Sequence, residues 1–263
     1  MITSTRHPVV AAFRRLAEAP RRDTGGRILL DGYHLITEAL AGGIDFDQVL
    51  VDLDPVDARR VSLAERLRAA GARVHAASPR VVQAAAQVDT SQGIVAIARR
   101  PAPGATAVLE TVGLFLLVAD QVQDPGNLGT MVRTALAAGA TAMAITPGGV
   151  DPYNAKVLRA TAGAIFRLPL VSMDAVSLSG ARAQHGVRML VADARGSVDY
   201  REARVDRPVA IVVGNEARGP EPVWSAVGST VRIPLLGPVE SLNVAVAAAL
   251  LMYEVARRGA TPS

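Results

Sequence analysis

Two uninterrupted apolar runs, at residues 114–119 and 209–213, constrain this chain more than any other feature. A strand with one face in water alternates apolar and polar residues. A run without alternation predicts a strand covered on both faces, as in a parallel sheet flanked by helices. Residues 142–146, 189–192 and 231–233 are further strand candidates, and 128–138, 154–164 and 242–257 are helix candidates between or after them. The alternation predicts an α/β domain. Sheets of this kind bind ligands beyond the carboxyl ends of their strands. A site is therefore expected in the loops that follow Ala119, Val213 and Ile233.

The chain divides at Arg99-Arg100-Pro101-Ala102-Pro103-Gly104-Ala105-Thr106. Two prolines and a glycine so close together continue neither a helix nor a central strand. This predicts a first domain at 1–100, a linker at 101–106 and a second domain at 107–263, both of ordinary domain size. In the first domain, 8–19 reads as a helix with Val9, Val10, Phe13 and Leu16 on one face. Strands at 27–30, 48–51, 73–76 and 93–98 alternate with helices at 33–41, 62–70 and 79–87, which describes a small α/β domain.

Composition narrows the chemistry. With no Cys, thiol nucleophiles, disulfides and Cys-ligated metals are excluded, and the four His show no metal-ligand spacing, so no metal is expected. No apolar stretch is long enough to cross a bilayer, and Arg14 and Arg15 interrupt the N-terminal segment where a secretory signal would need an apolar core. The expectation is a cytoplasmic protein with no membrane association. The formal charge of +4 is concentrated at the start, where Arg6, Arg14, Arg15, Arg21, Arg22 and Arg27 face only Glu18 and Asp23 within the first 27 residues. A basic start on a near-neutral body suits a polyanion such as nucleic acid, though on composition alone a solvated helix face is the simpler account.

The three loops carry the polar residues. The first, Asp120-Gln121-Val122-Gln123-Asp124-Pro125-Gly126-Asn127, leads into a helix that bears Arg133. Asn127 by itself suits an N-cap. The second is Gly214-Asn215-Glu216-Ala217-Arg218-Gly219-Pro220, and a glycine ending a strand lets a ligand approach the backbone. No G-x-G-x-x-G fingerprint follows a strand, so a Rossmann dinucleotide site lacks its phosphate turn. The third runs from Ile233-Pro234-Leu235 to Ser241-Leu242-Asn243 and enters an alanine-rich helix. Ser241 reads as its N-cap, and Asn243 as an unexpected first-turn residue. The small side chains on this helix permit close packing or a subunit interface.

Together, Asn127…Arg133, Gly214-Asn215-Glu216…Gly219 and Ile233-Pro234…Ser241-Leu242-Asn243 resemble the three motifs of the TrmH/SpoU family of RNA ribose 2′-O-methyltransferases, in the SPOUT superfamily. Asp151-Pro152-Tyr153…Arg159-Ala160…Gly163 is similar to the family as well. In the first domain, the stretch ending Asp31-Gly32 and the later Ser91-Gln92-Gly93 resemble the L30e-like substrate-binding domain of the rRNA-modifying branch. Asp31, Ser91 and Pro220 depart from the family's usual residues at their positions.

The resemblance implies an α/β fold in which a small L30e-like domain precedes a SPOUT α/β-knot domain, its C-terminal segment threaded through a loop. It implies a homodimer that holds S-adenosylmethionine in the knot, against Val213, Gly214, Asn215, Ile233, Leu235 and Leu242. The implied reaction is attack of a ribose 2′-oxygen on the methyl carbon, with 23S rRNA as the leading substrate. The same family includes tRNA-directed enzymes, and an RNA-binding or assembly protein with a silent site is a third reading. By resemblance, Arg133 sits at the reacting hydroxyl, with Asn127, Glu216, Ser241 and Asn243 as the polar residues around it. Either Arg133 acts as the base, or it stays charged and stabilises a developing alkoxide, which guanidinium chemistry favours. The resemblance also makes the basic N-terminal segment an RNA-docking surface, which suits a chain with only nine aromatic residues for base stacking.

Overall fold

The computed structural model describes residues 1–18, 25–53 and 57–259. It divides into two compact units, one of residues 1–101 with 153–166 and one of residues 102–152 with 167–263.

The first unit is a four-stranded sheet with helices on both faces. Its strands are β1 (Arg27–Asp31), β2 (Phe46–Val51), β3 (Arg73–Ala76) and β4 (Ile94–Arg99), in the order β1-β4-β2-β3. β4 runs antiparallel to β1 and β2, and β2 runs parallel to β3. Helix α1 (Pro8–Glu18) buries Val10, Phe13 and Leu16, the stripe its apolar spacing predicts, against α4 (Pro79–Ala85) and the sheet residues Leu29, Leu50, Val95 and Ile97. Helices α2 (Tyr33–Ala41) and α3 (Ala58–Ala69) each bury an apolar face as well. Helix α3 starts four residues before the expected start at 62, and the cause is local: Asp57 accepts from the Arg60 N–H and caps it there.

The second unit is an all-parallel sheet of seven strands. In chain order they are β5 (Phe115–Ala119), β6 (Ala142–Ile145), β7 (Leu170–Ser172), β8 (Arg188–Ala192), β9 (Val198–Asp199), β10 (Val209–Val213) and β11 (Ser229–Arg232), arranged β7-β6-β5-β10-β8-β11-β9. β5 and β10 are central, and all five residues of each are buried. The two continuous apolar runs are therefore two adjacent inner strands of the sheet, buried along their whole length. Leu116, Val118, Ala144, Val191, Val212 and Trp224 belong to one core cluster.

The helices of this unit are α5 (Ala105–Leu109), α6 (Pro125–Ala137), α8 (Ala175–His185), α9 (Pro222–Val227) and α10 (Val244–Gly259). Helix α10 packs on α6 and β10. Helix α7 (Ala155–Thr161) lies in the segment that groups with the first unit, where Tyr153 is buried beneath the Arg100 guanidinium, 5.0 Å from its ring centre. No described helix is long and apolar enough to cross a membrane.

The chain runs outward from β5 through β6 to β7, then resumes on the far side of the sheet, and β10 returns to the middle beside β5. Val213 pairs with Ala119, so the two central strands end side by side. Asp120 and Gly214 are thereby neighbours at the carboxyl edge, where the order of strands reverses.

Candidate active site at the strand ends

Asp120 anchors the first loop. It is 1% exposed, and its carboxylate accepts from the Thr146 hydroxyl at 2.8 Å and from the Glu221 N–H at 2.8 Å. The Thr146 oxygen in turn accepts from the Gln121 N–H at 2.9 Å. A buried carboxylate with such partners ties the ends of β5 and β6 to the start of α9. Gln121 then adopts φ 53°, uncommon for a residue with a side chain. It is held there from several directions. Its carbonyl accepts from the side-chain amides of Asn215 and Gln123, its Oε1 accepts from Arg218, and its Nε2 donates to Glu221. Asp120, Thr146, Gln121 and Glu221 were not among the expected site residues. An acidic residue directly after a fully buried strand was the available signal.

The second loop folds back on itself. Asn215 and Gly219 exchange backbone hydrogen bonds, and the Asn215 Oδ1 accepts from the N–H groups of Ala217 and Arg218. Gly214 is the hinge of this turn: a Cβ there would collide with the backbone of Gly219 and Pro220. Its smallness is required first by the loop's own closure.

The closed turn presents Glu216 to the start of α6. The Glu216 Oε2 accepts from the Gln123 N–H at 3.2 Å, and its Oε1 accepts from the Asp124 N–H at 3.1 Å and from the Asn127 side-chain amide at 3.0 Å. The Asn127 Oδ1 accepts from the Asn243 side-chain amide at 2.9 Å. The Asn243 Oδ1 accepts from the N–H groups of Ala245 and Val246 at the start of α10. Partial burial works to raise the Glu216 carboxyl, but the Asn127 amide and the loop N–H groups outweigh it and hold the group below the usual glutamate range.

The polarity of this chain of groups is forced. A carboxylate only accepts, so Asn127 must turn its NH₂ toward Glu216 and its oxygen toward Asn243. Asn243 must then turn its NH₂ toward Asn127 and its oxygen toward the helix donors. A negative charge at one end and a helix N-terminus at the other point every dipole the same way.

Two expectations about caps are corrected here. Asn127 is not the N-cap of α6: Asp124 is, accepting from the Asn127 N–H at 2.7 Å. Ser241 does not cap α10: Asn243 does, because the helix begins at Val244. In both cases the asparagine side chain is thereby committed to the relay.

Of the five residues expected to do chemistry, the structure links Asn127, Glu216 and Asn243 by hydrogen bonds, and Arg133 and Ser241 make no hydrogen bond to them among the described residues. Arg133 is exposed on α6, six residues beyond Asn127, and has no hydrogen bond or ion pair among the described residues. Ser241 is exposed in the third loop. Of the residues expected at the cofactor, Val213 and Gly214 are buried at the end of β10, Asn215 is half-buried, and Ile233 and Leu235 are half-buried just beyond β11. Leu242 lies before α10 and is partly exposed.

The third loop leaves backbone donors unused beside exposed apolar side chains. Between Ile233 and Leu242 its only internal backbone bond joins Val239 to Gly237, so the N–H groups of Leu235, Leu236 and Leu242 have no acceptor among the described residues. Leu236 is 100% exposed and Val239 and Leu242 are partly so.

Of the six arginines expected to dock RNA, Arg6, Arg14, Arg15 and Arg27 are exposed, and Arg21 and Arg22 lie outside the described residues. Arg14 is partly tethered, its Nε donating to the Ala84 carbonyl at 3.0 Å.

An all-parallel sheet with a built polar relay at its reversal point defines a ligand-dependent α/β enzyme. Comparison with known proteins fixes the family. Residues 114–253 match the SpoU rRNA Methylase family, and residues 7–96 match the MRM3-like substrate binding domain. The 23S rRNA (guanosine(2553)-2′-O)-methyltransferase RlmP of Bacillus subtilis is 32% identical, over 97% of this chain and 98% of that one. An AdoMet-bound rRNA methyltransferase from Sinorhizobium meliloti superimposes with a TM-score of 0.87 at 30% identity, covering 99% of this chain and 98% of that one. A crystal structure described as an RNA 2′-O ribose methyltransferase gives 0.79 at 34% identity, covering 98% of both chains. This chain belongs to the SpoU rRNA methylase family.

Proposed function

We propose that this protein transfers a methyl group from S-adenosylmethionine to a ribose 2′-hydroxyl of 23S rRNA. The observation that carries the reading is the relay Glu216–Asn127–Asn243, which ties the loop after β10 to the starts of α6 and α10. The family match, the full-length likeness to the B. subtilis enzyme and the likeness to an AdoMet-bound structure support it.

When bound, the cofactor supplies a methyl group already activated by a positive sulfur. The residues of this chain have to align the hydroxyl with it and manage one proton. Transfer would form a C–O bond as the C–S bond breaks, with S-adenosylhomocysteine as the leaving group and the hydroxyl proton passing to water rather than to arginine. A guanidinium has no lone pair to offer, so Arg133 stays charged and stabilises the developing oxyanion. With no partner among the described residues, its donors are available. Asn127 and Asn243, their orientations set by Glu216, position the ribose, and Ser241 joins them from the third loop. Val213, Gly214, Asn215, Ile233, Leu235 and Leu242 hold the cofactor.

In the same proposal, residues 1–100 form an L30e-like RNA-binding domain, joined by a linker at 101–106 to a cofactor domain at 107–263. The segment entering α10 is threaded as a knot, and the active form is a homodimer. The arginines at 6, 14, 15, 21, 22 and 27 make salt-sensitive contacts to phosphates.

Arg133→Ala tests the chemical role. Transfer of labelled methyl to rRNA should fall by about a thousandfold, in line with loss of a preorganised oxyanion donor, while calorimetric binding of S-adenosylmethionine is retained. Near-normal turnover in the variant would overturn the assignment.

A further inference from the structure

The first unit contains a cavity of about 570 Å³, within the range of small-ligand sites, lined by Asp52, Asp57, Arg60, Arg80, Gln83, Ser91, Gln92 and Gly93 among others. We infer that it holds the base of one unpaired nucleotide of the RNA substrate. This inference rests on the RNA methyltransferase reading and gives that reading a specific point of contact.

The cavity has a fixed floor. Arg60 is largely buried, with its Nε donating to Asp57 at 2.8 Å and its Nη1 donating to Asp52 at 3.1 Å. Gly93 passes directly over this guanidinium with φ 79°, and a Cβ there would collide with Arg60 Nη1. The backbone is thus pinned against the ion pair. Gln83 holds the far wall, its amide donating to the Val88 carbonyl and its oxygen accepting from the Ser91 N–H.

The ion pair does not use all its atoms. Among the described residues, Arg60 Nη2, Asp52 Oδ1 and Gln92 Nε2 have no hydrogen-bond partner. They offer two donors and one acceptor on rigid supports. A free anion would meet two carboxylates here, and a cation would meet Arg60 and Arg80. A neutral group with donors and acceptors side by side meets no opposing charge, and the edge of a nucleobase is such a group.

The surroundings supply what the rest of a nucleotide needs. Arg80 is exposed and has no partner among the described residues, as a phosphate contact requires. Gln92 Oε1 accepts from the Tyr33 N–H at 2.8 Å, which draws the 91–93 loop onto the start of α2. There the Tyr33 ring is partly exposed, with the Arg59 guanidinium 5.8 Å from its centre. An aromatic ring and a guanidinium plane are the surfaces on which unpaired bases stack.

The test uses the full chain and a 23S rRNA fragment that it methylates. Arg80→Glu should weaken RNA binding, measured by fluorescence anisotropy, by about tenfold. KM for RNA should rise with it, with kcat and S-adenosylmethionine binding unchanged. RNA bearing 4-thiouridine should photo-crosslink to residues 52–60 or 79–93 in the wild type. An affinity for Arg80→Glu within about twofold of wild type, or crosslinks confined to residues 6–27, would overturn the inference. Inorganic phosphate that competes with RNA as well as nucleoside monophosphates do would overturn the base-binding role. Failure of the parent reading is separately visible, as a wild-type protein that transfers no labelled methyl to rRNA.

Discussion

Glu216 is the residue on which the relay depends, and its ionisation can be read directly. Its carboxyl is held below the ordinary glutamate range in the folded chain. As acid is added, the unfolded chain therefore takes up the proton first. The stabilisation is complete above the ordinary glutamate range and is lost as pH falls through the lowered folded-state value. Glu216→Gln replaces one acceptor oxygen by a donor, which keeps the bonds at Oε1 and sets an NH₂ against the Gln123 N–H. The site is largely open to solvent, so the expected cost is about 1 kcal/mol at neutral pH. Thermal unfolding of the two proteins across pH should show that gap closing toward acid. A gap that stays constant with pH would mean the carboxylate charge plays no part. The identities of Glu216, Asn127 and Asn243 were legible in the sequence through their family motifs. Their order was not, because an asparagine's two ends cannot be told apart until its neighbours are known. Asp120 was passed over for a similar reason: an acidic residue after a strand looks like a loop residue until Thr146 and the Glu221 N–H are seen to enclose it.

Among the elements, legibility followed burial. The strands with continuous apolar runs, β5 and β10, were found within a residue of their ends, and α2 and β3 agree in both limits. The strands that escaped notice are β7 and β9, three and two residues long. So short a segment carries no periodicity, and only pairing with β6 and β11 makes it a strand. Helix α8 was missed although its ends are marked, by Asp174 accepting from the Ser177 N–H and by Gly186 at φ 65°. Its weakly apolar face hid it. The start of α10 allows a sharper test, because Asn243 both caps the helix and donates to Asn127. Asn243→Asp keeps the cap but loses the donor, and stability should stay within about 0.5 kcal/mol of wild type while kcat falls at least about tenfold. Asn243→Ala loses both functions, with a further cost of about 1 kcal/mol. Chemical denaturation and single-turnover methylation would separate the two, and equal activity of Asn243→Asp and wild type would remove the relay from the reaction.

At the scale of the whole molecule, α10 presents two opposite faces. Ala245, Ala248, Leu251, Met252 and Val255 are buried within the chain. Val246, Leu250 and Tyr253, spaced four and three residues apart, stand in solvent on another face, and Val239 and Leu242 extend that apolar surface into the third loop. A contiguous apolar stripe of this kind marks an interface, and a stable one buries roughly 1,000 Å² or more in total. A second copy of this chain is the occupant proposed above, and it would cover the same loop that the proposal places against the cofactor. Leu250→Glu places a charge in the middle of the stripe without disturbing the buried face. Sedimentation at micromolar concentration should show a dimer for the wild type and a monomer of about half the mass for the variant. The variant's circular dichroism should be unchanged, because Leu250 lies outside the buried set of α10. Its thermal midpoint should no longer rise with protein concentration, as the wild type's does when folding and association are linked. Affinity for S-adenosylmethionine should fall in parallel, since the third loop then loses the copy that shields it from water. A wild type that sediments as a monomer, or a monomeric variant that binds the cofactor as tightly as wild type, would show that one chain completes the site alone.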